Sequence, residues 1–211
     1  MGVIVSVNVG VERPILAKTG RSGIDKRPVD GPVAVGVPGT GDSGLAGDTI
    51  SDVEHHGGPD QAVYAYARED LDAWGPTLGP LHDGVFGENL TTRGLDVTGA
   101  RIGERWRIGD GVVLQVTVPR IPCRTFAAWL DRNGWVKEFT AAAVPGAYLR
   151  VVEPGEVRAG DPVAVERPDH DVTVGLAFRA VMTTPELLPD LVPALDALPD
   201  DVAERVLRRV R

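Results

Sequence analysis

Cysteine is nearly absent from this sequence, because Cys123 is its single example among 211 residues. One thiol excludes a disulfide within the chain, an iron–sulfur cluster held by four cysteines and a cysteine-rich structural zinc site. It also excludes a c-type haem attachment, which needs two cysteines. Such sparing use of cysteine is typical of a reducing compartment.

Positive charge and long hydrophobic runs are lacking as well. The 22 Lys and Arg residues face 30 Asp and Glu residues, which leaves a net charge of −8. An acidic chain repels nucleic-acid phosphates and anionic membranes, so we expect no nucleic-acid polymer as a partner. No apolar run approaches the roughly 20 residues of a membrane-spanning helix, and the N-terminus lacks the pattern of a signal peptide. We expect a cytoplasmic protein with no membrane partner.

Aromatic residues make up only 5% of the chain, whereas glycine (26) and proline (17) are abundant. This composition favours many turns and short strands, as in a β-barrel or a β-sandwich. A polar linker at 167–171 precedes a stretch with helix-start signals, namely Thr173, which can cap a helix through Met182, and Thr184-Pro185. We predict a β-rich domain over residues 1–168 and a three-helix segment over residues 169–211.

Local patterns predict particular elements. The valines at 3, 5, 7 and 9 alternate, which predicts a first strand with these side chains on one face. Asp110-Gly111 between two apolar runs predicts a β-hairpin. The stretch 62–66 fits either the start of a helix or a short strand, and we favour a strand followed by a helix over 68–74.

The lone thiol lies in a stiff corner of the chain. Pro119 and Pro122 fix their own φ angles and push the preceding residues toward extended geometry. Arg120 and Arg124 are permanent cations that favour the thiolate of Cys123 if they point inward. The thiolate is the form that binds soft metals and acts as a nucleophile. The alternative is a buried cysteine that serves as a small hydrophobe.

A basic loop at 16–28 interrupts the acidic chain. Lys18, Thr19 and Arg21 lie there beside two glycines. Glycine lets backbone N–H groups approach an anion while Lys and Arg supply charge, so the loop is a candidate anion site. The alternative is a solvated loop that binds nothing.

Three further polar stretches are candidates for a binding role. The residues 39–44 spell G-x-G-x-x-G, but no amphipathic helix follows, so we reject a dinucleotide site. His56 lies in a loop without metal-ligand spacing, and we favour a His56 aimed at a ligand over a polar turn. Asn89 lies among apolar neighbours, where its amide either ties down a turn or hydrogen-bonds a heterocycle.

An ordered set of motifs resembles a known family, the MOSC domain (molybdenum cofactor sulfurase C-terminal domain), and within it the YiiM-type bacterial subgroup. The likeness covers about residues 3–166. The motifs that carry it are His56-Gly57-Gly58-Pro59-Asp60, Gly87-Glu88-Asn89-Leu90, Ile102-Gly103-Glu104-Arg105-Trp106 and Pro119-Arg120-Ile121-Pro122-Cys123.

The resemblance implies a fold of mainly β with α: a closed, mostly antiparallel MOSC-type β-barrel with short helices. It implies binding of the pterin molybdenum cofactor, with Cys123 as the molybdenum ligand. It also implies reduction of N-hydroxylated compounds, such as amidoximes or hydroxylaminopurines. The alternatives are a non-catalytic carrier of the cofactor, or of sulfur on Cys123, and a barrel with an inert cysteine.

The same resemblance assigns roles and partners. The phosphate tail of the cofactor would contact Lys18, Thr19 and Arg21, while the pterin would contact Asn89 and His56, and Arg120 would keep the thiolate ionised. Because no second redox site is evident, electrons would come from a separate flavin or iron–sulfur reductase. We expect the C-terminal helices to serve packing or a homodimer contact.

Overall fold

The computed structural model describes residues 1–17 and 20–210 of the chain. Lys18 and Thr19, two of the predicted phosphate contacts, lie outside the described residues, so their roles stay predictions.

Twelve strands, five α-helices and two 3₁₀ stretches make up the regular structure of residues 1–17 and 20–210. The strands are β1 (Gly2–Gly10), β2 (Arg13–Pro14), β3 (Arg21–Ser22), β4 (Lys26–Pro28), β5 (Val33–Val35), β6 (Val63–Ala67), β7 (Leu90–Arg93), β8 (Arg105–Ile108), β9 (Val112–Pro119), β10 (Ala147–Glu153), β11 (Gly155–Val157) and β12 (Pro162–Glu166). The helices are α1 (Arg68–Leu78), α2 (Arg124–Trp129), α3 (Trp135–Ala142), α4 (Val174–Met182) and α5 (Asp200–Val210), and the 3₁₀ stretches are Pro59–Gln61 and Pro185–Ala197.

In this described part of the chain, seven strands close into a barrel in the order β12-β8-β9-β10-β6-β7-β1. The ring closes where Gly2 of β1 pairs with Val163 of β12. β6 and β7 are parallel, and α1 forms the crossover that a parallel pair requires. The predicted closed barrel with helices is therefore observed as a mixed barrel. The predicted strand and helix over 62–74 and the hairpin between β8 and β9 are confirmed.

The first strand departs from its simple alternation. A bulge between Ile4 and Ser6 shifts the pairing of β1 with β7. Because a one-residue shift exchanges the two faces of a strand, Ile4 and Val7 both become fully buried. Val3 stays half-buried, so the predicted valine face is wrong.

Most of the scarce aromatic residues pack in one cluster that is separate from the main apolar core, to which Trp106 belongs. Phe86, Phe126 and Trp135 form its centre, with edge-to-face contacts of 5.0 Å between Phe86 and Phe126 and 5.3 Å between Phe126 and Trp135. Such buried rings each contribute roughly 3–5 kcal/mol when judged by truncation to alanine. Phe126 lies three residues after Cys123, so this cluster fixes the corner that carries the thiol.

The C-terminal segment packs directly on the barrel. Thr173 caps α4 as predicted, since its Oγ1 accepts the N–H of Leu176 at 3.1 Å. Val174 and Ala177 of α4 belong to the same buried apolar cluster as the barrel interior. The middle of the segment is a 3₁₀ stretch rather than an α-helix, because Pro189 breaks the α-helical hydrogen-bonding pattern.

The boundary between residues 1–168 and 169–211 stays a prediction that a truncation can test. A variant that ends at residue 168 should still unfold cooperatively, but at a lower urea concentration, because it uncovers the apolar face on which α4 packs. A variant that ends at residue 199 keeps α4, so its urea midpoint should fall less. Tryptophan fluorescence during urea unfolding gives both midpoints. Loss of any cooperative transition in the shorter variant would show that the helices complete the barrel core.

Candidate functional site

One pocket brings together the predicted site residues that the structure describes. Arg21, His56, Asn89, Arg120 and Cys123 all line a cavity of about 670 Å³, which includes the part open to solvent. They come from distant parts of the sequence, so only the folded barrel assembles them.

The thiol lies where the extended corner ends and α2 begins. Cys123 has φ −124° and ψ 172°, so the extended backbone of the proline corner continues through the thiol residue. Its carbonyl accepts the N–H of Ala127 at 3.2 Å, and its side chain is half-buried against the pocket. Arg124, the second predicted neighbouring cation, is exposed and does not line the pocket, whereas Thr125 does. The helical turn after Cys123 rotates Arg124 away from the site.

Arg120 is a buried cation whose contacts are neutral groups. It is only 4% exposed, and its guanidinium carbon lies 4.0 Å from the ring centroid of Phe126 and 5.1 Å from that of Tyr64. Its Nη1 donates to the carbonyl of Phe86, while its buried Nε has no hydrogen-bond partner among the described residues. Burying a cation without an anion is costly. The pocket therefore presents a positive charge that a bound anion or a thiolate would stabilise.

The Gly87-Glu88-Asn89 motif builds the turn that supports Arg120. The Glu88 carboxylate accepts the backbone N–H groups of Gly84 at 2.6 Å and Phe86 at 3.0 Å, and the hydroxyl of Thr91 at 3.1 Å. Burial raises the pKa of Glu88 to about 7. This arrangement directs the Phe86 carbonyl toward Arg120.

Asp48 is a buried carboxylate that the sequence analysis did not single out. It accepts the N–H of Gly10 at 2.8 Å, the hydroxyl of Ser43 at 2.6 Å and the amide of Asn89 at 2.9 Å. It also forms an ion pair with Lys26, whose side chain is 6% exposed. Burial lowers the pKa of Lys26, although the charge of Asp48 partly opposes that shift. Lys26 lines the pocket and lies in the predicted basic loop, but sequence alone does not distinguish a buried lysine from its solvated neighbours.

Asn89 has its donors committed within the fold. Its amide nitrogen donates to Asp48 and to the carbonyl of Asn8 at 3.3 Å, while its oxygen accepts the N–H of Tyr64 at 3.1 Å. Of the two interpretations of Asn89, these contacts support the one in which its amide ties down the chain. A bond from a ligand to Asn89 would be limited to the free lone pair of its oxygen.

Arg21 is already paired. Its Nε donates to a carboxylate oxygen of Glu12 at 2.5 Å, and both side chains are largely open to solvent. This hydrogen bond lowers the pKa of Glu12. Arg21 lines the pocket mouth, so an anion bound there would meet a cation that Glu12 already compensates.

His56 shares the pocket wall with Tyr148 and Gln61, which the sequence analysis did not single out. The hydroxyl of Tyr148 lies 3.4 Å from Nδ1 of His56, and Gln61 lines the same wall. Burial lowers the pKa of His56 to about 4, and the charge of Arg120 adds to the effect. His56 is therefore neutral near pH 7. The buried Oε1 of Gln61 has no hydrogen-bond partner among the described residues.

A bare metal ion has no evident site in residues 1–17 and 20–210, where no group of three or more His, Cys, Asp or Glu side chains converges. The G-x-G-x-x-G stretch is followed by a bridge and turns, so it lacks the helix that a dinucleotide fingerprint requires. Among the described residues, no helix has the length and apolar character needed to cross a bilayer.

The barrel and its thiol pocket define a class of protein. The family model of the MOSC domain matches residues 52–164, and the chain belongs to that family. The crystal structure of YiiM from Geobacillus stearothermophilus superposes with a TM-score of 0.79 and 27% sequence identity, over 100% of both chains. The chain is thus a YiiM-type MOSC protein, as its motifs predicted.

Two relatives extend the comparison. The uncharacterized protein YflK of Bacillus subtilis is 34% identical over 180 residues, which are 83% of this chain and 79% of that protein. A protein named Reductase from Gibberella moniliformis is 30% identical over 173 residues, which are 79% of this chain but 30% of that longer protein.

Removing the Asp48 carboxylate tests its role beneath the pocket. Asp48→Ala should lower the free energy of unfolding by about 3–5 kcal/mol, because it leaves Lys26 buried without a counter-charge. Urea unfolding at neutral pH measures the loss. Glu12→Ala is the matched control, since it removes a carboxylate from an exposed pair and should leave stability nearly unchanged. An equal loss of stability in the two variants would contradict the role of Asp48 as the buried partner of Lys26.

The neutral His56 predicts a pH dependence. An unfolded histidine titrates near 6.5 and His56 in the fold near 4, so the unfolded chain binds more protons between these values. The stability that His56 contributes is present above pH 6.5 and is lost as the pH falls toward 4. Urea unfolding across this range should show a steeper loss in wild type than in His56→Gln.

The neighbouring His55 supplies a control of opposite sign. Its hydrogen bond with Asp52 raises the pKa of His55, so its contribution is present at low pH and is lost as the pH rises through that raised value. His55→Gln should therefore change the slope in the other direction. Parallel slopes for His56→Gln and wild type would show that His56 is solvated.

Proposed function

We propose that this protein binds the pterin molybdenum cofactor in the pocket around Cys123 and reduces N-hydroxylated compounds. One observation carries the proposal. The Cys123 thiol shares its pocket with the buried guanidinium of Arg120, whose contacts in the described part of the chain are neutral. A thiolate and a cofactor anion are the groups that such a charge would stabilise.

The residues present fit the cofactor. Arg120 Nε and Gln61 Oε1 are buried polar atoms without partners among the described residues, as expected of a site built for a polar ligand. The pocket offers one soft thiol and no cluster of three metal ligands in the described residues. That donor set suits a molybdenum that brings dithiolene sulfurs with it.

Each residue has a proposed role toward the bound group. Cys123 would hold the metal as a thiolate, and Arg120 would keep that thiolate ionised. His56 would face the pterin as a neutral ring that donates from one nitrogen and accepts at the other. Asn89 would act mainly by holding the wall in place. Lys26 adds a buried cation that the sequence analysis did not assign.

The phosphate tail would contact the basic loop, for which Lys18 and Thr19 stay the proposed residues together with Arg21. Because Arg21 is paired with Glu12, a phosphate there would share or replace that carboxylate. Charge-assisted bonds of this kind contribute roughly 1.5–3 kcal/mol each.

The proposed reaction cleaves an N–O bond: R–NHOH, two electrons and two protons give R–NH₂ and water. When bound, the cofactor would supply a metal centre that changes oxidation state and accepts the substrate oxygen. The chain itself would exclude water and hold hydrogen bonds at the reacting end, where Tyr148 and the neutral His56 lie together. The relative named Reductase supports reductive chemistry in the family.

Electrons would come from a separate protein. This sequence has one cysteine, which excludes an iron–sulfur cluster, and its glycine-rich stretch lacks the helix of a nicotinamide or flavin site. We therefore propose a flavin or iron–sulfur reductase as the electron-donating partner, docking transiently near the pocket mouth.

The Cys123→Ser variant tests the proposal. Wild-type protein made in a cofactor-competent host should contain molybdenum by elemental analysis and reduce benzamidoxime with reduced viologen, but not with NADPH alone. Cys123→Ser should lose this activity while its urea midpoint stays unchanged. Full activity in the serine variant would refute the ligand assignment. Molybdenum without reduction by wild type would favour the carrier alternative.

A further inference from the structure

One strand contacts both ends of the loop at 56–60, which we call the His56 loop. Burial alternates residue by residue along β10, which places Tyr148 and Arg150 on the same face of that strand. The hydroxyl of Tyr148 lies 3.4 Å from Nδ1 of His56. Nη2 of Arg150 lies 2.8 Å from the carboxylate of Asp60. The first and the last residue of the His56 loop are therefore both attached to β10.

The middle of the His56 loop consists of two glycines. Gly57 and Gly58 have φ of 80° and 84°, which is left-handed backbone that favours glycine. The N–H of Gly58 donates to the carbonyl of Asp42 at 2.9 Å. Because glycine has access to many other conformations, contacts with the rest of the protein must select the one that the loop adopts.

Asp60 is held through its backbone as well as its carboxylate. The pairing of β9 with β10 skips Thr117, which is the pattern of a β-bulge. Thr117 is fully buried, and its hydroxyl lies 2.6 Å from the carbonyl oxygen of Asp60 and 3.0 Å from that of Tyr148. The bulge thus supplies a second attachment of the His56 loop to the barrel.

Arg150 also reaches the C-terminal segment. Its Nη2 donates to the carbonyl of Ala197 at 3.1 Å, at the end of the 3₁₀ stretch Pro185–Ala197. The side chains of Arg150 and Asp60 are 26% and 39% exposed. An ion pair this open to solvent adds little to the free energy of unfolding. Its contacts with three parts of the chain therefore indicate a role in placing the His56 loop rather than in stabilising the fold.

We propose that Asp60 and Arg150 are positioning residues, whose ion pair anchors the His56 loop so that the His56 ring stays against Tyr148 in the thiol pocket. The C-terminal segment supports this pair, because the carbonyl of Ala197 helps to fix the Arg150 guanidinium. The inference rests on the proposed function for what the placed ring does, since His56 would face the bound cofactor there. The placement itself can be measured without that function.

Two substitutions that remove opposite charges test the placement. Asp60→Ala removes a negative charge and Arg150→Met removes a positive one. If either change releases the ring from its buried place, the pKa of His56 should rise from about 4 toward the ordinary value of roughly 6.5 in both variants. A direct charge effect would instead lower the pKa of His56 in Asp60→Ala and raise it in Arg150→Met.

Titration of the histidine ring signals by NMR gives these pKa values, and His56→Gln identifies the His56 signal among the four histidines. Arg107→Met is the matched control. Arg107 lies on β8, forms a solvent-exposed ion pair with Glu166 and does not line the thiol pocket, so its loss should leave the pKa of His56 unchanged. Arg150→Lys keeps the cation, and its His56 pKa should lie closer to the wild-type value than that of Arg150→Met.

Steady-state kinetics of the same variants add a second measurement. With reduced viologen and benzamidoxime, Asp60→Ala and Arg150→Met should lower kcat per bound molybdenum about tenfold and change KM less than about twofold, because a displaced group costs the reacting step more than it costs binding. Arg107→Met should keep both constants. If Arg150→Met folds poorly, Arg150→Gln takes its place and is judged by the same criteria.

The outcomes separate the two proposals. If the pKa of His56 rises in both variants but wild type reduces no benzamidoxime, the positioning role stands and the proposed reaction fails. If wild type reduces benzamidoxime and both variants keep its kcat and its His56 pKa, the positioning role is refuted. Opposite pKa shifts in the two variants also refute it, because they would show a charge effect without displacement of the ring.

Discussion

The buried carboxylate of Asp48 is the interaction on which the pocket depends. It accepts hydrogen bonds from Gly10 at the end of β1, from Ser43 in the glycine-rich loop and from the amide of Asn89. It also forms an ion pair with Lys26 on β4. These segments lie far apart in sequence and form one side of the site. Because these donors are buried or half-buried, loss of the carboxylate would leave several polar groups without partners. The Asp48 carboxylate thus holds these segments together on one side of the pocket.

The opposite side of the pocket depends on apolar packing. Phe126 and Tyr64 of the aromatic cluster contact the Arg120 guanidinium, and the turn made by Glu88 supplies the Phe86 carbonyl. A cation held in this way is fixed in position but not neutralised. Most aromatic residues of the chain therefore belong to the cluster that orients a charge in the Cys123 pocket.

The corner at 119–123 separates two cavities. Arg120 and Cys123 line the thiol pocket, whereas Pro119 and Ile121 line a second cavity that α4 and α5 also border. Alternate residues of the corner face the two cavities because extended backbone has a period of two. The C-terminal helices therefore lie next to the corner that carries the thiol.

The sequence by itself determined the local geometry and the family. Pro119 and Pro122 predicted the extended corner, Thr173 the cap of α4, and the four ordered motifs the MOSC barrel, because each signal acts through its own neighbours in the chain. Only the tertiary structure decided that Lys26 is buried while Arg124 is exposed. It also decided that the donors of Asn89 are used within the fold, and that the bulge between Ile4 and Ser6 turns the valine face of β1. These outcomes depend on partners tens of residues away, and strand register and barrel closure, rather than local propensity, bring such partners together.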